Sequence, residues 1–165
     1  MTMARRHRQQ TKALLSLLGE SGIEFAIIGG VASVVHGSAR MTHDLDIIVP
    51  FAEDSVEHLV EILRPYNPRH ATRPELSLLD EPIARLAGFR MLLIETSLGR
   101  LDVLPGVEPF GAYSFVPTVN IEVYGRACDV IDLGALVKVK EVAGRPKDIE
   151  VAFELRAILE RETGK

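Results

Sequence analysis

Two aspartates, Asp44 and Asp46, stand two residues apart in an otherwise apolar run that is closed by Pro50. In an extended strand alternate side chains share a face, so both carboxylates point one way while Leu45 and Ile47 point the other. Like charges at that spacing repel and raise each other's proton affinity unless a cation lies between them, and magnesium prefers oxygen ligands of this kind. Solvated strand faces also carry acids, so the pair by itself does not define a metal site. A third aspartate, Asp102, sits inside Leu101-Asp102-Val103-Leu104. A buried carboxylate demands a partner. A metal shared with Asp44 and Asp46 would serve, as would Arg100 or Arg90, or water if the strand lies at a sheet edge.

Upstream, Gly29-Gly30 joins the apolar run 25–28 to the segment 31–36. Backbone N–H groups at a helix N-terminus attract anions, and glycine lets a phosphate approach the chain closely. The same pair is also an ordinary strand-to-helix turn. A dinucleotide-binding fold does not fit. Gly29-Gly30-Val31-Ala32 departs from Gly-x-Gly-x-x-Gly, and the acids begin their strand where a ribose-binding acid ends one. Asp148 lies in the first turn of a helix opened by Pro146, where the dipole favours negative charge. Glu95 falls opposite Asp102 if Leu98 and Gly99 are the central turn residues, and near Arg100 if the register shifts. His36, His58 and His70 have no zinc-like spacing to one another or to Cys128. Cys128, the only cysteine, precedes Val130-Ile131 and reads as a small core residue.

The elements that must position these groups follow from periodicity. Leu14, Leu17 and Leu18 mark a helix that stops at Ser21-Gly22. A strand at 25–28, a short helix at 31–36, a strand at 44–49, and a helix with Val56, Leu59, Val60 and Leu63 on one face come next. Residues 65–74, with three prolines and Asn67, predict a loop, and 76–86 a helix interrupted by Pro82. Hairpins are expected at 90–104, around Ser97-Leu98-Gly99, and at 119–131, around Gly125-Arg126. Helices at 133–142 and 146–160, parted by Gly144, complete an α/β (α+β) chain: a small mixed β-sheet flanked by helices, with a C-terminal helical region.

Composition narrows the function classes. The 165 residues are 47% hydrophobic and 25% charged, which is too apolar for a disordered chain. The longest apolar runs are far short of the ~20 residues of a membrane span. Nineteen Lys plus Arg against 23 Asp plus Glu leave a formal charge of -4, which argues against a surface that wraps nucleic acid without regard to sequence. One cysteine and no convincing secretion signal place the chain in the cytoplasm.

The stretch 28–47, with Gly29-Gly30, His36-Gly37, Arg40, Thr42, Asp44 and Asp46, followed by Asp102 on a later strand, resembles the DNA polymerase beta-like nucleotidyltransferase superfamily. It looks most like the abortive-infection type nucleotidyltransferase toxins and their uncharacterised relatives, to which the tail Lys140, Gly144-Arg145-Pro146-Lys147-Asp148 is also similar. Where many relatives carry a second aspartate after Lys-Asp, this chain has Val151. The resemblance implies a nucleotidyltransferase-like domain spanning 1–165: an N-terminal helix (1–22), a catalytic core (23–132) and C-terminal helices (133–165). It implies that Asp44, Asp46 and Asp102 hold Mg2+, with Mn2+ as a substitute. It further implies that Gly29, Gly30, Ser33, Arg40 and Lys140 contact a nucleoside triphosphate (NTP). Arg40 would neutralise a phosphate unless it is a solvated loop arginine, His43 reads as a loop residue, and Lys140 is favoured over Lys138 by its spacing from Gly144-Arg145. Two metals would align the attacking hydroxyl with the α-phosphate, and Asp102 would help deprotonate the acceptor. The acceptor is RNA, a protein or a small molecule; RNA suits a toxin, and the basic Arg5, Arg6, Arg8 and Lys12 are compatible with it. An antitoxin-like protein partner is the corresponding regulator. The rival is a non-catalytic nucleotide-binding or partner-binding module of the same fold.

Overall fold

The computed structural model describes residues 7–164. Helix α1 (Thr11–Ser21) buries Leu14, Leu15 and Leu18 and ends at Gly22, whose φ of 76° is the left-handed cap glycine favours. Strand β1 (Ala26–Ile28) runs directly into the short helix α2 (Gly29–Val35), so the two glycines form its first turn. Strand β2 (Leu45–Ile48) leads to α3 (Glu53–Leu63), with Glu53 and Asp54 in a first turn that favours acids. Then come β3 (Arg69–His70), β4 (Arg73–Ser77), α4 (Ile83–Ala87), β5 (Leu92–Thr96), β6 (Gly99–Leu104) and the short pair β7 (Gly106–Val107) and β8 (Gly111–Ala112). Strands β9 (Thr118–Val123) and β10 (Arg126–Ile131) precede helices α5 (Leu133–Ala143) and α6 (Pro146–Glu162).

Among the described residues, eight strands form one mixed sheet in the order β4-β3-β5-β6-β2-β1-β10-β9. The pairs β2–β6 and β1–β10 are parallel and the others antiparallel. Cross-strand partners share a face, and the register sorts the two faces by chemistry. Ile27, Leu45, Ile47, Leu101, Val103, Leu92, Ile94 and Val130 fall on one side. All are essentially inaccessible, in one core with Leu14 and Leu18 of α1 and Val56, Leu59 and Leu63 of α3. Burying such a side chain is worth roughly 1.5–3 kcal/mol, so this face anchors the register. The other face carries Ile28, Asp46, Asp102, Leu93, Glu95 and Arg100, and α2 packs on it, followed by α5 and α6.

The mixed sheet flanked by helices and the two C-terminal helices agree with the pattern of the chain. Residues 65–74 do not form a loop: β3 pairs with the rim of β5, and β4 folds back onto β3. These two strands at the end of the sheet are short, polar and half exposed, so they lack the apolar alternation that marks a strand. The helix expected across 76–86 is instead the end of β4, a 3-10 turn at Leu78–Asp80, and α4, which starts immediately after Pro82. The β9–β10 turn centres on Tyr124-Gly125, one residue earlier than Gly125-Arg126, with φ of 52° and 80°, as a two-residue hairpin requires. No helix among the described residues is long and apolar enough to cross a membrane.

Candidate active site

The parallel register of β2 and β6 sets Asp46 directly beside Asp102. Burial and the neighbouring Asp102 charge push the Asp46 carboxyl up from 3.8 to about 7, helped by its hydrogen bond to Asp102 and by Asp44, and opposed by Lys140. Arg100, two residues before Asp102 on the same strand face, donates from Nε to Asp102 Oδ1 at 2.7 Å. The arginine alternative for Asp102 is therefore realised, alongside its placement next to Asp46. The β5–β6 turn centres on Ser97-Leu98, so Glu95 stands opposite Arg100 and Leu93 opposite Asp102. Among the described residues, no three His, Cys, Asp or Glu side chains gather tightly enough to hold a metal as they stand. Arg100 holds one oxygen of Asp102 while Asp46 lies beside it.

Asp44 and Asp46 line one cleft of about 550 Å³ with Gly30, Ser33, Arg40 and Thr42, although Asp44 lies in the bend just before β2 rather than on the strand. Lys140 of α5, Arg145 at the N-cap of α6, and Lys147 and Asp148 of α6 complete the lining. Four cations and three carboxylates thus face a single cavity. Asp102 lies beyond Asp46, outside the lining.

Asp148 organises the basic wall. It is 4% exposed and accepts from Arg145 Nε at 2.7 Å, with Lys140 Nζ at 3.7 Å. The hydrogen bond from Arg145 holds its carboxyl below the usual carboxylate range. Asp148 does occupy the first turn of α6, behind Pro146, but its role exceeds dipole compensation: it ties α5 to α6 and orients Lys140 toward the acids. Lys138 is exposed. Nothing in the local pattern announces Lys147 or Arg145 as cleft residues; only the antiparallel return of α6 beside α5 brings them there.

The two glycines divide their work. Gly29, at φ 67°, does not line the cleft, and a Cβ there would collide with the Asp46 carboxylate. Gly30 does line it, and a Cβ would press on Thr42. Ser33 is buried and its hydroxyl donates to the Gly29 carbonyl at 3.2 Å, fixing the first turn of α2. Arg40 is half exposed and lies 3.6 Å from Glu150 of α6, across the cleft mouth. His43 is exposed in the same loop. His36 Nε2 donates to the Ile131 carbonyl at 2.7 Å, a structural tie between α2 and β10. Cys128 is buried, and burial pushes its thiol up.

Comparison with solved structures identifies the architecture. ANT(2'')-Ia in complex with adenylyl-2''-tobramycin is 19% identical, covers 91% of this chain and 87% of its own, and has a TM-score of 0.56. The solution structure of the antibiotic-resistance factor ANT(2'')-Ia is 18% identical, covering 92% and 83%, with a TM-score of 0.57. An antigenic nucleotidyltransferase-like protein from Paracoccidioides brasiliensis is 15% identical over 87% of this chain and 72% of that one, with a TM-score of 0.57. The fold is that of nucleotidyltransferases. No family model matches the chain, and no curated protein matches it in sequence.

Proposed function

We propose that the chain is a metal-dependent nucleotidyltransferase that moves a nucleoside monophosphate from an NTP to an acceptor hydroxyl. The observation that carries this reading is the cleft in which Asp44 and Asp46 face Lys140, Arg145 and Lys147. Carboxylates alone would repel a triphosphate, and cations alone would hold it without aligning it. The donor set fits a hard divalent cation, because Asp46 and Asp102 supply only oxygens and a cation would offset the burial and the repulsion that raise Asp46. Asp44, Asp46 and Asp102 would hold Mg2+ or Mn2+. When bound, that cation stabilises charge on the transferring phosphoryl group and on the departing pyrophosphate.

The remaining steps belong to the protein. Gly30 keeps the acid-side wall free of a side chain, so phosphate oxygens reach the backbone. Lys140, held by Asp148, neutralises a phosphate opposite Asp46, while Arg40 and Lys147 close the mouth. Gly29 supports Asp46 from beneath, and Ser33 fixes the turn between them. Asp102, beside Asp46, helps take the proton of the acceptor hydroxyl.

For the acceptor, a second groove of about 680 Å³ shares Thr42 and His43 with the cleft and is lined by Arg8, Lys12 and Tyr124. Two cations and an exposed aromatic ring suit RNA, which neutralises its phosphates on the one and stacks a base on the other. Arg5 and Arg6 lie outside the described residues. A small molecule is the other acceptor class, as ANT(2'')-Ia carries adenylyl-2''-tobramycin. The RNA reading belongs with a cytoplasmic toxin restrained by an antitoxin-like partner. A non-catalytic nucleotide-binding module is the second functional reading, favoured by the Arg100–Asp102 pair, which occupies the third acid.

The deciding experiment incubates the protein with each labelled nucleoside triphosphate, Mg2+, and total cellular RNA or protein. Label entering one polymer supports transfer; saturable nucleotide binding with no acceptor labelled, small molecules included, supports the module. Two substitutions refine the site. Lys140→Met should raise the NTP Kd by about tenfold or more, the loss of a hydrogen bond to a charged group, with little change in melting temperature because Arg145 still holds Asp148. Gly30→Val should weaken NTP binding more than folding, since the Thr42 it displaces sits in an exposed loop. Equal losses of binding and stability would return Gly30 to a purely structural role.

A further inference from the structure

Arg100 is flanked by two carboxylates. Asp102, on the same strand face, accepts its Nε–H at 2.7 Å. Glu95 stands opposite across the hairpin, its charge acts on the guanidinium, and its Oε1 is buried with no hydrogen-bond partner. The backbone between them is clamped from outside the sheet. The Arg100 amide donates to Gln9 Oε1 at 2.7 Å, and Gln9 Nε2 donates to the Arg100 carbonyl at 3.0 Å. Gly99 leaves room for this clasp, since a Cβ there would strike Gln9. With its main chain held, Arg100 can exchange partners only by turning its side chain.

We propose that Arg100 is a resident cation with two seats: its guanidinium neutralises Asp102 until a divalent cation arrives, and then moves to Glu95. This rests on the reading of Asp44, Asp46 and Asp102 as metal ligands. A divalent cation and a guanidinium on the same carboxylate repel each other, so a metal that takes Asp102 displaces the arginine. Departure into water would leave the Glu95 oxygen buried and unsatisfied, whereas a move across the hairpin satisfies it with a charge-assisted bond. The planar fork of arginine offers several donors, so the side chain need travel only between cross-strand neighbours. Arg100 and Glu95 are then positioning residues, and the Arg100–Asp102 pair is the resting state of the metal-free protein.

The test titrates Mn2+ into the full chain, following free ion by electron paramagnetic resonance, for the parent, Glu95→Gln, Arg100→Gln and the double variant. Each is first checked by thermal unfolding in chelator. Glu95→Gln should weaken Mn2+ binding by about tenfold, because the arginine loses its second seat and competes for Asp102, whereas in the Arg100→Gln background the same change should have no effect. If Arg100→Gln does not fold, Arg100→Lys takes its place, and the Glu95 effect should shrink there because the fork is gone. An equal Glu95 effect with and without Arg100, or none in either, overturns the two-seat proposal. Asp46→Asn separates this from the underlying reading. Mn2+ binding that is lost in Asp46→Asn but shows no Arg100–Glu95 coupling sinks the two seats alone. Absence of Mn2+ binding to the parent sinks both.

Discussion

Replacing Asp46 with asparagine is expected to abolish transfer and, in the absence of metal, to stabilise the protein at pH 8. The Asp46 carboxyl is pushed from 3.8 to about 7 by burial and by the charges of Asp102 and Asp44. Between those two values the folded protein keeps a proton that the unfolded chain has lost. Stability therefore falls as the pH rises from about 4 to about 7, and stays low above that. Asparagine carries no charge to bury, so the slope should disappear in Asp46→Asn. Melting curves in chelator should converge near pH 4 and separate by pH 8, with the variant higher. Transfer in Mg2+ should drop by about a thousandfold or more, the several kcal/mol that a catalytic metal contributes. A variant that melts lower in chelator and still transfers would remove Asp46 from the chemistry. Added Mg2+ should raise the melting temperature of the parent most at high pH, where the acids are fully charged, and should do little for the variant.

Gly29→Ala should be the most damaging single change to the fold near the site. Its φ of 67° is a conformation that costs an L-residue roughly 1–2 kcal/mol. The added Cβ would also collide with Asp46 Oδ2 and lie 2.9 Å from Asp46 Cβ and Cγ. Asp46 cannot retreat, because β2 is locked between β1 and β6. Gly22→Ala isolates the first effect, since Gly22 also has positive φ (76°) and nothing lies within 4 Å of a Cβ there. The excess loss in melting temperature of Gly29→Ala over Gly22→Ala measures the contact with Asp46, and transfer should vanish only in the former. Equal losses would mean that Gly29 serves backbone geometry alone.

These predictions draw on parts of the molecule that were unequally legible in the chain. The face of Asp46 was fixed by strand alternation, because a two-residue repeat leaves no choice once Leu45 and Ile47 are buried, and Asp44 joins it in the cleft from the bend just before β2. The hairpin bearing Asp102 was readable from Gly99 and its flanking apolar residues, but its register was not. Turns centred on Ser97-Leu98 or Leu98-Gly99 are both short, and only the paired geometry puts Glu95 opposite Arg100. Strands β3 and β4 left no periodic trace because neither face is buried. The basic wall was half visible. Lys140 stood out, but Arg145, Lys147 and the buried Asp148 depend on how two helices fold back on each other, a tertiary fact that helical spacing does not encode. Gln9 was invisible, since a lone glutamine clasping a distant strand has no motif.

The parallel pairing of β2 with β6 also sets when the acid pair comes into being during synthesis. A nascent chain that has emerged only as far as β5 already contains Asp44, Asp46 and the glycine turn. It lacks the neighbour that perturbs Asp46, and the helices of the basic wall are not yet made. Strand β1 likewise waits for β10 to complete its second edge. Pairings this distant in sequence form late and slowly, because the loop must close before any contact rewards it. Growing chains on the ribosome therefore hold the cleft in halves, and the complete arrangement appears only when the last two helices dock.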